Sequence, residues 1–189
     1  MLTPRPAASL YVAILAAALL TACGGGTNSS SSSSETGPLR ITGGGSGQFR
    51  ERGADNSIEE YGHEASRSEL EQAASDVHSY LVARVEEDWT QACTYFSKDF
   101  RKQLEEEAPH SEQVAGKGCA ATVDAYLSPV PRSERYESSK VEAGSLRVKG
   151  DTGFIFFNAA APDGGHKLYM AREDGSWRIG GNLYPTSLH

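Results

Sequence analysis

Large apolar side chains are almost missing from residues 24–57, and nowhere does the chain gather Lys and Arg into a run. The first absence excludes a core of its own for that stretch, because too little surface could be buried to offset the entropy of ordering it. The second, together with a net charge of −7, argues against a nucleic-acid binder, which presents a basic face. Cysteine is scarce as well. Three are present, none in a Cys-x-x-Cys pair, and no histidine stands at ligand spacing from them, which weighs against a thioredoxin-type redox motif and a zinc site. The glycine-rich residues 42–47 are followed by no Gly-Lys-Ser/Thr and so lack the phosphate loop that cradles nucleotides. The long apolar run at residues 7–20 is shorter than the roughly 20 residues a membrane-spanning helix needs.

That run is better matched to an export signal. Arg5 supplies a positive start, the apolar stretch follows, and Leu20-Thr21-Ala22-Cys23 closes it. These four residues resemble the bacterial lipobox. The resemblance implies lipid transfer to the Cys23 thiol, cleavage before Cys23, and a lipid-modified N-terminal cysteine; an ordinary signal peptide with an incidental cysteine, or an uncleaved anchor, is the alternative. Two acyl chains hold a protein stably at a membrane, each buried CH₂ contributing about 0.8 kcal/mol. Expected organisation is therefore a signal peptide over 1–22, a flexible Gly/Ser-rich tether over 23–57 that includes six consecutive serines at 29–34, and a folded domain over 58–189. Leu39, Ile41 and Phe49 are the large apolar residues of the tether and candidates to dock on the domain.

The domain opens with helical signals. Ser57 to Glu60 and Ser68 to Glu71 have the form of capping boxes. From Leu70 onward, apolar residues at Ala73, Ala74, Val77, Tyr80, Leu81 and Val85 fall on one helical stripe, and Gln72 and Asp76 fall on the far, solvated side. The helix should stop near Glu87. Asp88 caps a second helix with Gln91 at the reciprocal position, and Ser97 caps a third over Lys98–Glu107. Residues 119–127 read as a further short helix. Cys93 and Cys119 are then the natural disulfide pair of an exported chain, with a redox pair or metal ligands as the weaker alternatives.

From residue 137 the period changes to that of strands. Val141 to Val148 alternates around a bulge at Gly144-Ser145, and residues 153–159 are apolar on both faces, as in a central strand. Residues 166–172 form another strand, Asp174-Gly175 marks a hairpin, and Trp177-Arg178-Ile179 opens a last strand expected to reach Leu183 or Tyr184. Helices followed by a four-stranded antiparallel meander make an α+β fold with the helices on one sheet face.

The residues Tyr80-Leu81-Val82-Ala83-Arg84, Asp88-Trp89-Thr90-Gln91-Ala92-Cys93, Phe96-Ser97, Arg101, Leu104, Cys119 and the closing Asp174-Gly175-Ser176-Trp177-Arg178-Ile179 resemble the NTF2-like (SnoaL-like) domains of actinobacterial-type secreted lipoproteins. The resemblance covers about residues 66–185. It implies a cone, with helices on a curved antiparallel sheet and a pocket inside, whose lining residues would be Tyr80, Tyr126, Tyr169 and Trp177; aromatic residues at such spacings are more often core. That fold hosts many unrelated functions. Enzymes among them place an Asp/His or Tyr/Asp pair in the cone, and no histidine here has an evident acidic partner; His166 is expected to be exposed at a strand start. The expectation is a non-enzymatic lipoprotein on the extracytoplasmic face of the cell membrane, with no cofactor, metal or nucleic acid, attached through lipid on Cys23 and acting on a small apolar ligand or an envelope protein. The alternative is an isomerase- or dehydratase-type enzyme using the cone.

Overall fold

Helix α1 (Arg67–Glu86) starts where strand pairing ends. The Ala65 N–H still donates to the Leu146 carbonyl, and Ser66 then caps the helix. Its hydroxyl accepts from the Glu69 N–H while the Glu69 carboxylate accepts from the Ser66 N–H, so the capping box is Ser66–Glu69 and not the expected pair two residues later. Ser57 to Glu60, the other expected box, forms an isolated turn. Glu87, at φ 58°, ends α1, and the Asp88 N–H donates back to the Ala83 carbonyl. That bond occupies the backbone group Gln91 was expected to cap. Asp88 still caps α2 (Trp89–Thr94) by accepting from the Gln91 N–H, but the Gln91 side chain turns to the Tyr95 hydroxyl.

The computed structural model describes residues 36–107, 117–159 and 165–187, all within one compact unit. The expected signal peptide, Cys23 and the serine tract lie outside the described residues. Helix α3 (Lys98–Glu107) is capped by Ser97, whose hydroxyl accepts from the Phe100 N–H at 3.1 Å. Helix α4 (Gly118–Leu127) follows, and the Cys93–Cys119 disulfide staples it to α2. Helix α5 (Arg132–Ser138) has no counterpart in the sequence reading. It carries Arg135 back to the end of α4, where Nη1 donates to the Val130 carbonyl at 2.6 Å and to that of Leu127 at 3.3 Å, and Nη2 pairs with Glu87. A buried side chain from one helix thereby satisfies carbonyls that another helix leaves open.

The sheet runs in the order β1 (Leu39–Ile41), β3 (Val141–Lys149), β4 (Thr152–Ala159), β5 (Gly165–Glu173), β6 (Ser176–Ile179), with β2 (His63–Glu64) on β3 and β7 (Thr186–Ser187) on β5. β3 to β6 form the expected antiparallel meander, with the register shift at Ala143/Ser145 and β4 in the centre. The sheet is curled, and the architecture is α+β with five α-helices among the described residues. The last strand is shorter than expected: it stops at Ile179, the chain leaves through Gly180-Gly181-Asn182, and β7 returns to pair with the other end of β5. β1 and β2 share the free edge of β3 in the same manner, β1 parallel at one end and β2 antiparallel at the other. Both edges are thereby blunted against pairing with other chains.

The expected tether boundary at residue 57 is corrected by this pairing. Residues 36–57 contain β1 and a 3-10 turn (Ser46–Phe49), and Phe49 is buried against Phe156 at 5.6 Å between ring centroids. Three large apolar residues are too few for a core of their own, but they suffice to cover one that the sheet supplies. A Cβ at Gly144 would lie 2.2 Å from Gln48 and 2.8 Å from the Phe49 ring, so a larger residue there would push both side chains aside.

Candidate functional site

The helix-facing side of the sheet carries the apolar core. Leu146, Ile155, Phe157, Leu168, Met170 and Ile179 from the strands meet Val77, Tyr80 and Leu81 of α1, Phe96, Val123 of α4 and Leu127, each essentially inaccessible. The four aromatic residues expected to line one pocket are not brought together. Tyr80 and Trp177 are core residues. Tyr169 stands on the opposite sheet face, against Phe154 and in line with Tyr61. Tyr126 is 47% exposed on α4. The alternation of strand side chains explains the split, since Tyr169 follows the core residue Leu168 and must point the other way.

The polar residues of α1 also depart from expectation. Gln72 and Asp76, assigned to solvent, face the β5–β6 hairpin. Gln72 accepts from the Trp177 N–H at 2.9 Å, and Asp76 pairs with Arg178 at 3.2 Å. Burial pulls the Asp76 carboxyl above its usual range, with Arg178 and Gln72 acting against it. His166, expected to be exposed, is 9% accessible and lies beside Phe157, because β7 covers its strand. His78 reaches the Gly37 carbonyl at 2.7 Å and helps hold the start of β1. No acid and base therefore share a cavity among these groups. Among the described residues no group of three or more His, Cys, Asp or Glu could hold a metal ion, and no helix is long and apolar enough to cross a membrane.

One surface groove brings exposed aromatics together. It lies between α3, α4 and the loop after β6, and has a volume of about 340 Å³. Phe100, Gln103 and Leu104 form one wall, Tyr126 another, and Gly181, Asn182, Leu183 and Tyr184 the third. Tyr126 and Tyr184, at 47% and 42% exposure, are the exposed large hydrophobic residues of the described chain. The Tyr184 hydroxyl donates to the Tyr126 carbonyl at 2.6 Å and ties the loop to α4. The disulfide in turn holds α4 in place from its other end. Among the described residues, no carboxylate or imidazole lines the groove.

Behind Tyr184 stands Arg84. Its guanidinium carbon lies 5.4 Å from the Tyr184 ring and 5.6 Å from the Tyr80 ring, and the residue is only 2% exposed. Tyr80 donates its hydroxyl to the Leu183 carbonyl, so the same loop closes over both side chains. Burial raises the Tyr80 phenol to about 12, the Arg84 charge acting in the opposite sense. Arg84 was legible as an oddity: it follows Val77 by seven residues and Tyr80 by four, so a charge continues the apolar stripe. Tyr184 gave no comparable signal, because its position depends on the chain leaving β6 early.

Comparison with protein-family models, with curated proteins and with solved structures finds no match to the chain.

Proposed function

We propose that this chain is a lipoprotein of the extracytoplasmic face of the cell membrane, attached through lipid on Cys23, and that its domain is an NTF2-like fold that works by binding in the groove between α3, α4 and the loop after β6. The observation that carries the binding reading is the groove itself: two half-exposed tyrosines face an apolar wall of Phe100 and Leu104, with no carboxylate or imidazole among the described lining residues. Pockets that hold small molecules are largely apolar, with a few placed polar groups. The Cys93–Cys119 disulfide supports an oxidising compartment, and the lipobox supports the anchor. Five helices and a curled antiparallel-rich sheet support the fold reading. The ligand class is a small molecule with an apolar body.

Two measurements test this. A Cys23→Ala variant should leave the membrane fraction; retention there would rule out the lipid anchor. For the groove, the full chain in lipid nanodiscs, labelled with 3-fluorotyrosine, is titrated with the neutral probe 1-naphthylacetamide. The signals of Tyr126 and Tyr184 should shift together while that of Tyr169 stays. Unmoved signals of Tyr126 and Tyr184 would remove the groove as a binding site.

A further inference from the structure

Two arginines are buried in this domain, and they are treated differently. Arg135 is 1% exposed and has Glu87 and several backbone carbonyls as partners. Arg84 is 2% exposed, and neither Nε nor Nη1 has a hydrogen-bond partner among the described residues. No carboxylate of the described residues pairs with it either. A guanidinium keeps its charge at any ordinary pH. Burying it without an anion is unfavourable, and the two tyrosine rings offset only part of that penalty.

We propose that Arg84 is the anion receptor of the groove, and that the ligand is a small carboxylic acid with an apolar body. This rests on the binding reading above and names its ligand class. The apolar body lies on Phe100, Leu104 and Tyr126. The carboxylate accepts hydrogen bonds from the Arg84 guanidinium, and the Tyr184 ring, which now covers it, turns aside. The loop permits that movement: Tyr184 follows Gly180, Gly181 and Asn182, the last already at φ 62°. The charge argument is specific to an anion. Among the described residues the lining of the groove carries no charge, and the Arg84 guanidinium lies directly behind the Tyr184 ring. A planar guanidinium matches a carboxylate with two parallel bonds.

The test uses the full chain in nanodiscs, with 1-naphthylacetate against its neutral counterpart 1-naphthylacetamide, empty nanodiscs being subtracted. The acid should bind about tenfold tighter than the amide or better, as for hydrogen bonds between charged groups. Arg84→Met should abolish that difference, and the 3-fluorotyrosine signal of Tyr184 should then respond to acid and amide alike. Thermal unfolding supplies a readout independent of binding. If Arg84 is kept for a ligand, Arg84→Met unfolds at the same temperature as the parent or higher, since an apolar chain of similar length removes an uncompensated charge. Equal binding of acid and amide by the parent chain overturns the proposal and leaves the groove as a site for neutral ligands, whether or not the variant folds. A parent chain that prefers the acid, with Arg84→Met preferring it equally and unfolding earlier, also overturns it and makes Arg84 a packing residue. If neither probe moves Tyr126 or Tyr184, this proposal and the binding reading fail together.

Discussion

The two faces of the sheet are covered by different means. On the helix side, Phe157, Leu168 and Ile179 belong to a large apolar cluster with the helices, and the polar contacts, Gln72 with Trp177 and Asp76 with Arg178, gather at the β5–β6 hairpin. On the other side lies the segment from β1 to β2, residues 39–64. It rests a few rings on the sheet, Phe49 on Phe156 and Tyr61 on Phe154, lends Leu39 and Ile41 of β1 to the edge of the core, and is otherwise pinned by polar groups. Glu64 is the main pin: it accepts from the Ser46 N–H and the Ser145 hydroxyl, both at 2.7 Å. Arg147 adds bonds to the carbonyls of Tyr61 and Gly62 at 2.8 and 2.7 Å. Burial of apolar area scales with the surface removed from water, whereas each polar bond exchanges one made with water and returns little net stability. The helix layer should therefore be the cooperative core, and the strap a unit that opens first.

Truncation on each face gives the largest contrast. Phe157→Ala should lower global stability by about 3–5 kcal/mol, read by urea unfolding. Phe49→Ala should lower the global midpoint less. Its effect should concentrate in amide exchange, with protection lost over residues 39–64 and retained in β4 and β5. Equal loss of protection in both regions would show that the strap is part of the core and erase the distinction.

Replacing Cys93 and Cys119 by alanine acts on the helix side alone. A bridge closing 26 residues should contribute about 3–4 kcal/mol on the chain-entropy account. Urea unfolding should report that loss, while exchange in the strap relative to the global limit stays unchanged. Because α4 carries Tyr126, its ring signal should broaden in this variant.

The smallest effect is the pH dependence of the strap. Burial alone would raise the Glu64 carboxyl, but the bonds from Ser46 and Ser145 and the charge of Arg147 outweigh it, and the group sits below its ordinary value. A depressed folded value means the contribution is complete above the unfolded value, about 4.3, and fades as pH falls through the folded one. The Ser46 amide signal should move through that acid range and lose its titration in Glu64→Gln. Were the core amides to titrate with it, the two layers would be coupled more tightly than their contacts suggest.

Much of the helix layer was legible because its signals are local. Asp88 and Ser97 sit at helix starts, the apolar stripe of α1 repeats every three to four residues, and Asp174-Gly175 turns the hairpin with both residues at positive φ. The Cys93–Cys119 pair followed from count and compartment. The strap was read as tether because it is polar and glycine-rich, and its order comes from a sheet surface nearly a hundred residues away. Gln72 and Asp76 were placed in solvent because they lie off the apolar stripe, yet they answer to Trp177 and Arg178 across the fold. The groove was not legible at all. Its walls come from α3, α4 and a loop that departs from an expected strand.

Sequence alone thus determined the starts of α2 and α3, the Asp174-Gly175 hairpin and the apolar stripe of α1, since these depend on neighbours within a few residues, and the cysteine pair, which followed from count. Only the tertiary structure decided which polar residues are buried, what covers the second sheet face, and that Arg84 lies enclosed by Tyr80 and Tyr184. Those are properties of surfaces that exist once distant segments meet, and no local period encodes them.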